Sequence, residues 1–177
     1  MNPDPTLART LRDIGADLAA CSGRRGTLTF LSYLFHPGFA VLLSYRLARL
    51  FFAWRLVPLA RFMTFASRFL TGCDIHYRAE IAGGVTFPHG RGVVIGEGVR
   101  IAHRCSIFHS VTLGSSELKP GYPVLAEGVN VYPYSVISGP VEIGEYSRVG
   151  PTVHLTESVP SHTRVRAPKP QILRSSE

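Results

Sequence analysis

A six-residue hydrophobic period from Ile75 to Leu155 constrains the fold more than any other feature of the sequence. Aliphatic residues share one register of this period, with a single gap at Lys119: Ile95, Ile101, Ile107, Leu113, Leu125, Val131, Ile137, Ile143, Val149 and Leu155. The same period, two residues out of that register, precedes them at Ile75, Ile81, Phe87 and Val93. A period sustained over this length indicates an internal repeat.

A period of six fits neither a helix nor a simple hairpin sheet. Side chains alternate every two residues along a strand, so six residues form one short strand and a turn, with one side chain pointing inward. Three such units close a triangular coil, and stacked coils lie about 4.8 Å apart. Small residues, which fit tight corners, follow many of the aliphatic positions: Gly96, Ala102, Gly114, Ala126, Gly144 and Gly150. The repeat therefore predicts a parallel β-helix built from hexapeptides.

Composition narrows the possible functions. A length of 177 residues fits one domain with an appendage. The net charge is +7, but the basic residues are scattered along the sequence, which argues against a nucleic-acid groove. A basic surface could equally bind phosphate-bearing small molecules. Cys21, Cys73 and Cys105 are odd in number and show no paired spacing, which indicates reduced thiols. The polar start, Met1 to Arg12, shows no signal peptide, so we expect a cytoplasmic protein.

Residues 1–70 are predicted to form an α-helical N-terminal region. Apolar residues three and four apart predict one amphipathic helix within Met1–Gly26. The following segment, Thr27–Leu70, is strongly apolar, and prolines fall at the boundaries of helical runs. Three further helices are predicted there: Leu28–Phe35, Phe39–Leu56 and Leu59–Leu70.

Arginines interrupt Thr27–Leu70, so no run in it reaches the roughly 18 uncharged residues that a membrane span needs. We prefer the interpretation that these helices pack on one another, on the end of the coil or on another subunit. A helix lying on a membrane surface is the alternative, because apolar stripes with arginine fit such a surface too.

The helical pattern gives way to the six-residue period between Phe69 and Ile75. We therefore expect a β-helix domain over residues 71–168 and a C-terminal tail over residues 169–177. One loop, Gly114–Pro123, replaces a regular hexad. Insertions in such coils often gather on the binding face, although a plain surface loop is the alternative.

Four motifs follow in order: FHPGF at Phe35–Phe39, LTGCDIH at Leu70–His76, HGRGVVIGE at His89–Glu97 and SVTLG at Ser110–Gly114. Together they closely resemble the serine O-acetyltransferase family of hexapeptide-repeat acyltransferases, over roughly residues 35–168. The resemblance implies a left-handed β-helix preceded by helices, a homotrimer, and acetyl-CoA bound as co-substrate between adjacent subunits. The dimer of trimers formed by longer members is left open, because the N-terminal region is shorter here.

The resemblance also implies a catalytic dyad, His89 and Asp74. Acyl transfer from a thioester to a hydroxyl needs a base, and histidine, with a pKa of about 6.5, suits neutral pH. A carboxylate that fixes the tautomer of the histidine assists such a base. Transfer is then direct, without an acyl-enzyme. For acetyl-CoA, the positions that match the family are Gly114, Ser115, Ala126 and Ser135.

Several positions depart from the family pattern where the amino-acid acceptor binds. Pro88 stands in place of an Asp immediately before the base, and Gly121–Tyr122 stands in place of an Arg-His pair. An Asp-Pro-Ala segment of the family's N-terminal helices is missing. The charges that hold the ammonium and carboxylate groups of serine are therefore absent. We expect an acceptor other than free serine, flatter, more apolar or sugar-like.

Four residues are predicted to contact the acceptor: Pro88, Glu97, His109 and Tyr122. His109 occupies the same place in its hexad as His89, so its ring should stack on His89 one coil away. It either tunes the base or touches the acceptor, or it forms a structural ladder. Glu97 matches a family position beside the site, and an exposed turn carboxylate is the equal alternative.

No metal is predicted. A zinc site needs three convergent imidazoles, and the histidine spacings do not fit one. Cys105 is predicted to be a packed, inert thiol. The sequence thus predicts a CoA-dependent O-acyltransferase. A sugar or polysaccharide O-acetyltransferase at a membrane surface and a catalytically idle trimeric scaffold are the alternatives.

Overall fold

The computed structural model describes residues 6–22 and 36–169. The helix predicted at Leu28–Phe35 and most of the C-terminal tail lie outside these residues. Within the described residues, three helices come first, and thirteen short strands follow them. The helices are α1 (Leu7–Ser22), α2 (Pro37–Ala53) and α3 (Val57–Thr71).

The strands form three parallel sheets, which the chain visits in turn. Sheet A contains β1 (Asp74–Ile75), β3 (Val94–Ile95), β6 (Thr112–Gly114), β9 (Val136–Ser138) and β12 (His154–Leu155). Sheet B contains β2 (Glu80–Ile81), β4 (Arg100–Ile101), β7 (Val124–Leu125) and β10 (Glu142–Ile143). Sheet C contains β5 (Ser106–Ile107), β8 (Asn130–Val131), β11 (Arg148–Val149) and β13 (Arg164–Val165). The chain is a left-handed parallel β-helix with an α-helical N-terminal region, as predicted.

The inward aliphatic residues of successive coils lie in register. On sheet A, Ile75 pairs with Ile95, and Ile95 pairs with Leu113. The first coil is therefore two residues longer than the second, which explains the offset in the sequence period. Leu113 pairs with Ile137 across a third coil that is one hexad longer, because it contains the loop Gly114–Pro123.

The prolines start the helices rather than precede them. Pro37 is the first residue of α2 and Pro58 the second of α3, positions where a helix has no use for a backbone N–H donor. His36 caps α2, because its Nδ1 accepts a hydrogen bond from the Gly38 N–H at 3.2 Å. Gly72 ends α3 in the left-handed conformation, with φ of 71°. The observed bounds of these two helices thus differ from the predicted ones by one to three residues at each end.

Helix α1 forms as predicted, but only the C-terminal part of its apolar stripe is buried, where Leu18 is 7% exposed. Leu7 and Leu11 are exposed, whereas Asp17 is 1% exposed. Asp17 is drawn inward because it pairs with the buried Arg46 of α2, with 2.9 Å between Oδ2 and Nε. A partner 29 residues away reorients the helix, and the apolar spacing alone contains no sign of it.

Helix α2 joins the N-terminal region to the first coil. Val41, Leu42 and Tyr45 belong to the same hydrophobic cluster as the interior of the β-helix. The Tyr45 hydroxyl donates to the carbonyl of Ala79 at 2.7 Å and accepts from the N–H of Ile81 at 3.2 Å. The helix thus covers the first coil and satisfies polar groups there, so the core of the coil continues into the helices.

Candidate functional site

The segment around His89 is held by close backbone contact with the start of α2. A Cβ at Gly38 would lie 1.8 Å from the carbonyl oxygen of Phe87, and a Cβ at Gly90 would lie 2.5 Å from the Gly38 nitrogen. Gly90 also has φ of +50°. Only glycine fits these two positions, so two of the sequence motifs meet in space. Their contact fixes the corner from which His89 projects.

His89 is exposed and stands beside a second imidazole. Its ring centroid lies 5.0 Å from that of His109, edge to face, which confirms the predicted neighbourhood one coil away. The Nδ1 of His109 is buried and has no hydrogen-bond partner within residues 6–22 and 36–169. An unsatisfied polar atom of this kind is costly.

Aromatic rings continue from this pair onto the next coil, and we call Phe108, His109, Tyr132 and Tyr134 the aromatic cluster. Phe108 stacks on Tyr132 at 5.0 Å with 16° between the rings. His109 meets Tyr134 edge to face at 5.3 Å. Phe108 and Tyr132 each follow an inward aliphatic residue on sheet C, a spacing that could have revealed the pair in the sequence.

Asp74 lies on β1, at the end of sheet A, beside Val94. Its carboxylate binds Arg68 of α3, with 2.6 Å between Oδ2 and Nη2. Arg68 and Asp74 side chains are 60% and 36% exposed, so solvent screening keeps the contribution of this pair to stability small. No hydrogen bond or ion pair joins Asp74 to His89 among the described residues. The dyad therefore remains a prediction, and Arg68 is a neighbour of Asp74 that sequence reasoning missed.

Asp74 also faces a cleft between α3 and sheet A. The cleft has a volume of about 450 Å³, and Arg61, Phe65, Arg68 and His76 contribute to its walls. Two arginines and one carboxylate line the cleft, and the carboxylate of Glu97 lies 3.7 Å from Nε2 of His76 at its wall. The cleft is thus suited to a strongly polar group.

Glu97 is paired with His76 and Arg78. Its Oε2 is 3.7 Å from Nε2 of His76 and 3.9 Å from Nη1 of Arg78. Burial lowers the pKa of His76, although Glu97 opposes the shift. These contacts place Glu97 on the His76 side of sheet A, and none of its ion pairs among the described residues involves His89.

Tyr122 packs on the coil, next to Gly96 and Gly98. A Cβ at Gly98 would lie 2.2 Å from the Tyr122 ring, so the two glycines make room for it. The ring also contacts the hydrophobic core. Pro88 is half-buried, directly before His89. Of the four predicted acceptor contacts, the structure thus brings only Pro88 and His109 next to His89.

The predicted acetyl-CoA residues lie on two different sheets. Gly114 ends β6 of sheet A, and a Cβ added there would meet nothing within 4 Å. Ser115 follows it and is exposed, whereas Ala126 comes directly after β7 of sheet B. Ser135 is fully buried, and its hydroxyl donates to the carbonyl of Gly150 at 2.7 Å. The Ser135 hydroxyl thus forms a hydrogen bond within the β-helix, and this geometry does not support a role for it in binding CoA.

Two further observations concern metals and membranes. Within residues 6–22 and 36–169, no three His, Cys, Asp or Glu side chains lie close enough together to hold a metal ion. Among the same residues, no helix is both long and apolar enough to cross a bilayer.

Comparison with known proteins gives consistent relatives, although no protein-family model matches the chain. Serine acetyltransferase of Helicobacter pylori is 35% identical over 130 residues, which are 72% of this chain and 76% of that enzyme. Serine acetyltransferase of Synechococcus elongatus is 36% identical over 146 residues, 81% of this chain. The match spans only 59% of the length of the Synechococcus enzyme.

Solved structures agree with these relatives. Soybean serine acetyltransferase in complex with serine has a TM-score of 0.82 and 31% identity, over 91% of this chain and 68% of that one. A serine acetyltransferase in complex with CoA has a TM-score of 0.81 and 27% identity, over 90% of this chain and 69% of that one. The shared sequence, fold and motif order lead to one conclusion: the chain belongs to the serine acetyltransferase family.

Proposed function

We propose that the chain is a CoA-dependent O-acetyltransferase, an enzyme of the EC 2.3.1 class that transfers an acetyl group from acetyl-CoA to an acceptor hydroxyl. Family membership supports the reaction, and a CoA complex of a relative supports the co-substrate. The observation that carries the proposal is the placement of His89, exposed and next to an imidazole with an unsatisfied nitrogen.

In this proposal His89 is the general base. Its neutral imidazole accepts the proton of the acceptor hydroxyl while the hydroxyl oxygen attacks the thioester carbonyl. The new C–O bond forms, the C–S bond breaks, and the CoA thiolate leaves. The imidazolium returns its proton to that thiolate, so the enzyme ends the cycle unchanged. A base of this kind contributes about 10²–10⁴ to the rate.

Asp74 is proposed as the residue that orients His89. The basis is the match to the family motif, together with the position of Asp74 on the first coil, the same coil that contains His89. In the single chain its carboxylate is bound by Arg68. The proposal therefore requires the His89 ring to share this carboxylate with Arg68, or to replace Arg68, when the site is assembled.

The acetyl-CoA site is proposed to lie between subunits of a homotrimer. Gly114 ends β6, the central strand of sheet A, Ser115 follows it, and Ala126 comes directly after β7 of sheet B. Residues from two faces of the β-helix can line one groove when sheet A of one subunit approaches sheet B of its neighbour. Whether two trimers then pair is an open alternative, and we propose a cytoplasmic location.

The proposed acceptor differs from free serine. Pro88 and Gly121–Tyr122 supply no charge for an amino acid. The aromatic cluster beside His89 instead offers flat, apolar faces with polar edges, which suit the C–H face and hydroxyl rim of a sugar ring. This observation favours a sugar or polysaccharide acceptor as the second candidate function. A catalytically idle trimeric scaffold is the third interpretation.

One assay separates the three interpretations. CoA release from acetyl-CoA is measured with serine and with a panel of sugar acceptors, and products are identified by mass spectrometry. We expect acetylated sugar, little O-acetylserine, and a loss of about 10²–10⁴ in kcat for His89→Ala. His154→Ala, an exposed histidine on β12, is the matched control and keeps full turnover. Unchanged turnover in His89→Ala would reject the base, serine as the best acceptor would reject the acceptor proposal, and CoA binding without any turnover would indicate the scaffold.

A further inference from the structure

Helix α3 is apolar on two opposite faces. Ala60 and Ser67 are buried on its inner face, and α3 packs there against α2. On the opposite side, Phe62, Phe65 and Phe69 follow each other three and four residues apart and are 60%, 62% and 82% exposed. We call these three residues the outer face. A helix of a soluble protein normally presents polar side chains on that side.

The outer face is large and has apolar neighbours. At roughly 200 Å² per ring, its exposed fractions amount to about 400 Å² of aromatic surface. Leu59, Leu70 and Trp54 are also exposed beside it. An exposed apolar patch beyond a few hundred Å² marks an interaction site in most soluble proteins. Phenylalanine and tryptophan exposed together are typical of a membrane interface.

Charge identifies the partner. Arg55 and Arg61 are exposed on either side of the start of the helix, and no Asp or Glu occurs anywhere between Asp17 and Asp74. An anionic bilayer complements such a surface, and each nearby arginine strengthens the attraction. A second copy of the same face would set arginine against arginine, with no carboxylate from this part of the chain to separate them. The charges therefore favour lipid over self-association.

We infer that α3 lies on the surface of an anionic membrane, with the outer face in the boundary between headgroups and acyl chains and the arginines at the lipid phosphates. The helix need not span the bilayer to do this. The cleft lined by Arg61, Phe65 and Asp74 opens beside the same helix, so the membrane would present lipid-linked molecules next to it. Vesicle binding requires no turnover, and the inference is therefore independent of the proposed acyl transfer.

The test is co-flotation of the full chain with phosphatidylcholine vesicles, with and without roughly one-third phosphatidylglycerol. We expect binding to the anionic vesicles only, and loss of binding as salt rises from about 0.05 M to about 0.5 M. Replacing all three residues of the outer face by Gln should weaken binding by at least about tenfold, and Arg61→Gln alone by about fivefold. Leu118→Gln is the matched control, because Leu118 is 93% exposed on the loop and far from α3 in sequence.

Three results would overturn the inference. They are no flotation of the unaltered chain, flotation that the outer-face variant retains, and binding to neutral and anionic vesicles alike. Light scattering without lipid measures the oligomer size of the unaltered chain and of the outer-face variant. If the outer-face variant falls to a smaller oligomer while the unaltered chain ignores vesicles, the face is an interface between copies of the chain.

Discussion

The buried ion pair between α1 and α2 gives the sharpest prediction about stability. Asp17 and Arg46 are 1% and 3% exposed. The Asp17 carboxylate accepts hydrogen bonds from Nε of Arg46 at 2.9 Å, from Nη2 at 3.1 Å and from the Gly84 N–H at 2.8 Å. Arg46 also donates to the carbonyls of Ile81 and Ala82. One pair thus ties both helices to the first coil.

Asp17→Ala removes the only carboxylate that contacts Arg46 as a hydrogen-bond partner among the described residues. It leaves the buried guanidinium with only the partly exposed carboxylate of Asp13, 3.7 Å from Nη1, as counter-charge, and such a change costs up to about 3–5 kcal/mol. For a protein of this size the melting temperature should then fall by about 6–20 °C. Burial raises the pKa of Asp17, and Arg46 opposes that shift, so desolvation offsets much of the attraction within the intact pair.

The double replacement of Asp17→Leu and Arg46→Met separates the cost of leaving one buried charge unpaired from the cost of losing the whole ion pair. Both charges are then absent, so the variant should recover part of the loss. A residual cost of about 1–3 kcal/mol is expected, because the Gly84 N–H and the coil carbonyls lose their partners. Denaturant unfolding at fixed protomer concentration measures these differences.

Arg104→Met is the matched control, because Arg104 forms an exposed pair with Glu127 at 3.1 Å. An exposed pair contributes at most about 1 kcal/mol. If Asp17→Ala proves no more destabilising than Arg104→Met, the two helices are not anchored through this pair, and the reasoning fails.

Three other predictions concern packing and reactivity. Gly98→Ala should lower the free energy of unfolding by about 1–3 kcal/mol in denaturant unfolding, because the added Cβ meets the Tyr122 ring. Gly114→Ala is the control and should leave stability unchanged, because a Cβ there has open space. Equal effects of the two substitutions would contradict this. Gly38→Ala should lower both stability and turnover, because its Cβ would clash with a backbone carbonyl of the coil; normal melting temperature and activity would refute the contact. Burial raises the pKa of Cys105 to about 11, so thiol reagents at neutral pH should modify it only after unfolding, and rapid labelling of the native protein would count against its burial.

The six-residue period predicts the coil well because each hexad contributes one inward aliphatic side chain, which is visible in the sequence. Ile95 and Leu113 are both fully or almost fully buried, in register, as the period requires. Even the two-residue offset before Ile95 corresponds to a real feature, a longer first coil. The period does not predict whether the coil is left-handed or right-handed, because either hand has the same period of six. The hand came from the resemblance alone.

Long-range contacts explain what the sequence did not reveal. Asp17 faces inward because of Arg46, and Asp74 is bound by Arg68, a residue on a helix whose orientation the period does not describe. Tyr122 packs on glycines a coil away. Spacing along the chain cannot show such contacts, because the path of the helices and the loop decides them. His109 was predictable because it lies within the repeat.

A crystal structure of the assembled protein with CoA bound tests the central claim most directly. The claim is that His89 acts on the thioester, so the CoA sulfur should lie within direct or one-water hydrogen-bond reach of the His89 ring, about 2.6–3.2 Å per step. Gly114 should line the same groove, and the Asp74 carboxylate should contact the His89 ring. A CoA sulfur remote from His89, or an Asp74 that stays bound to Arg68 and turned away from the ring, would contradict the account.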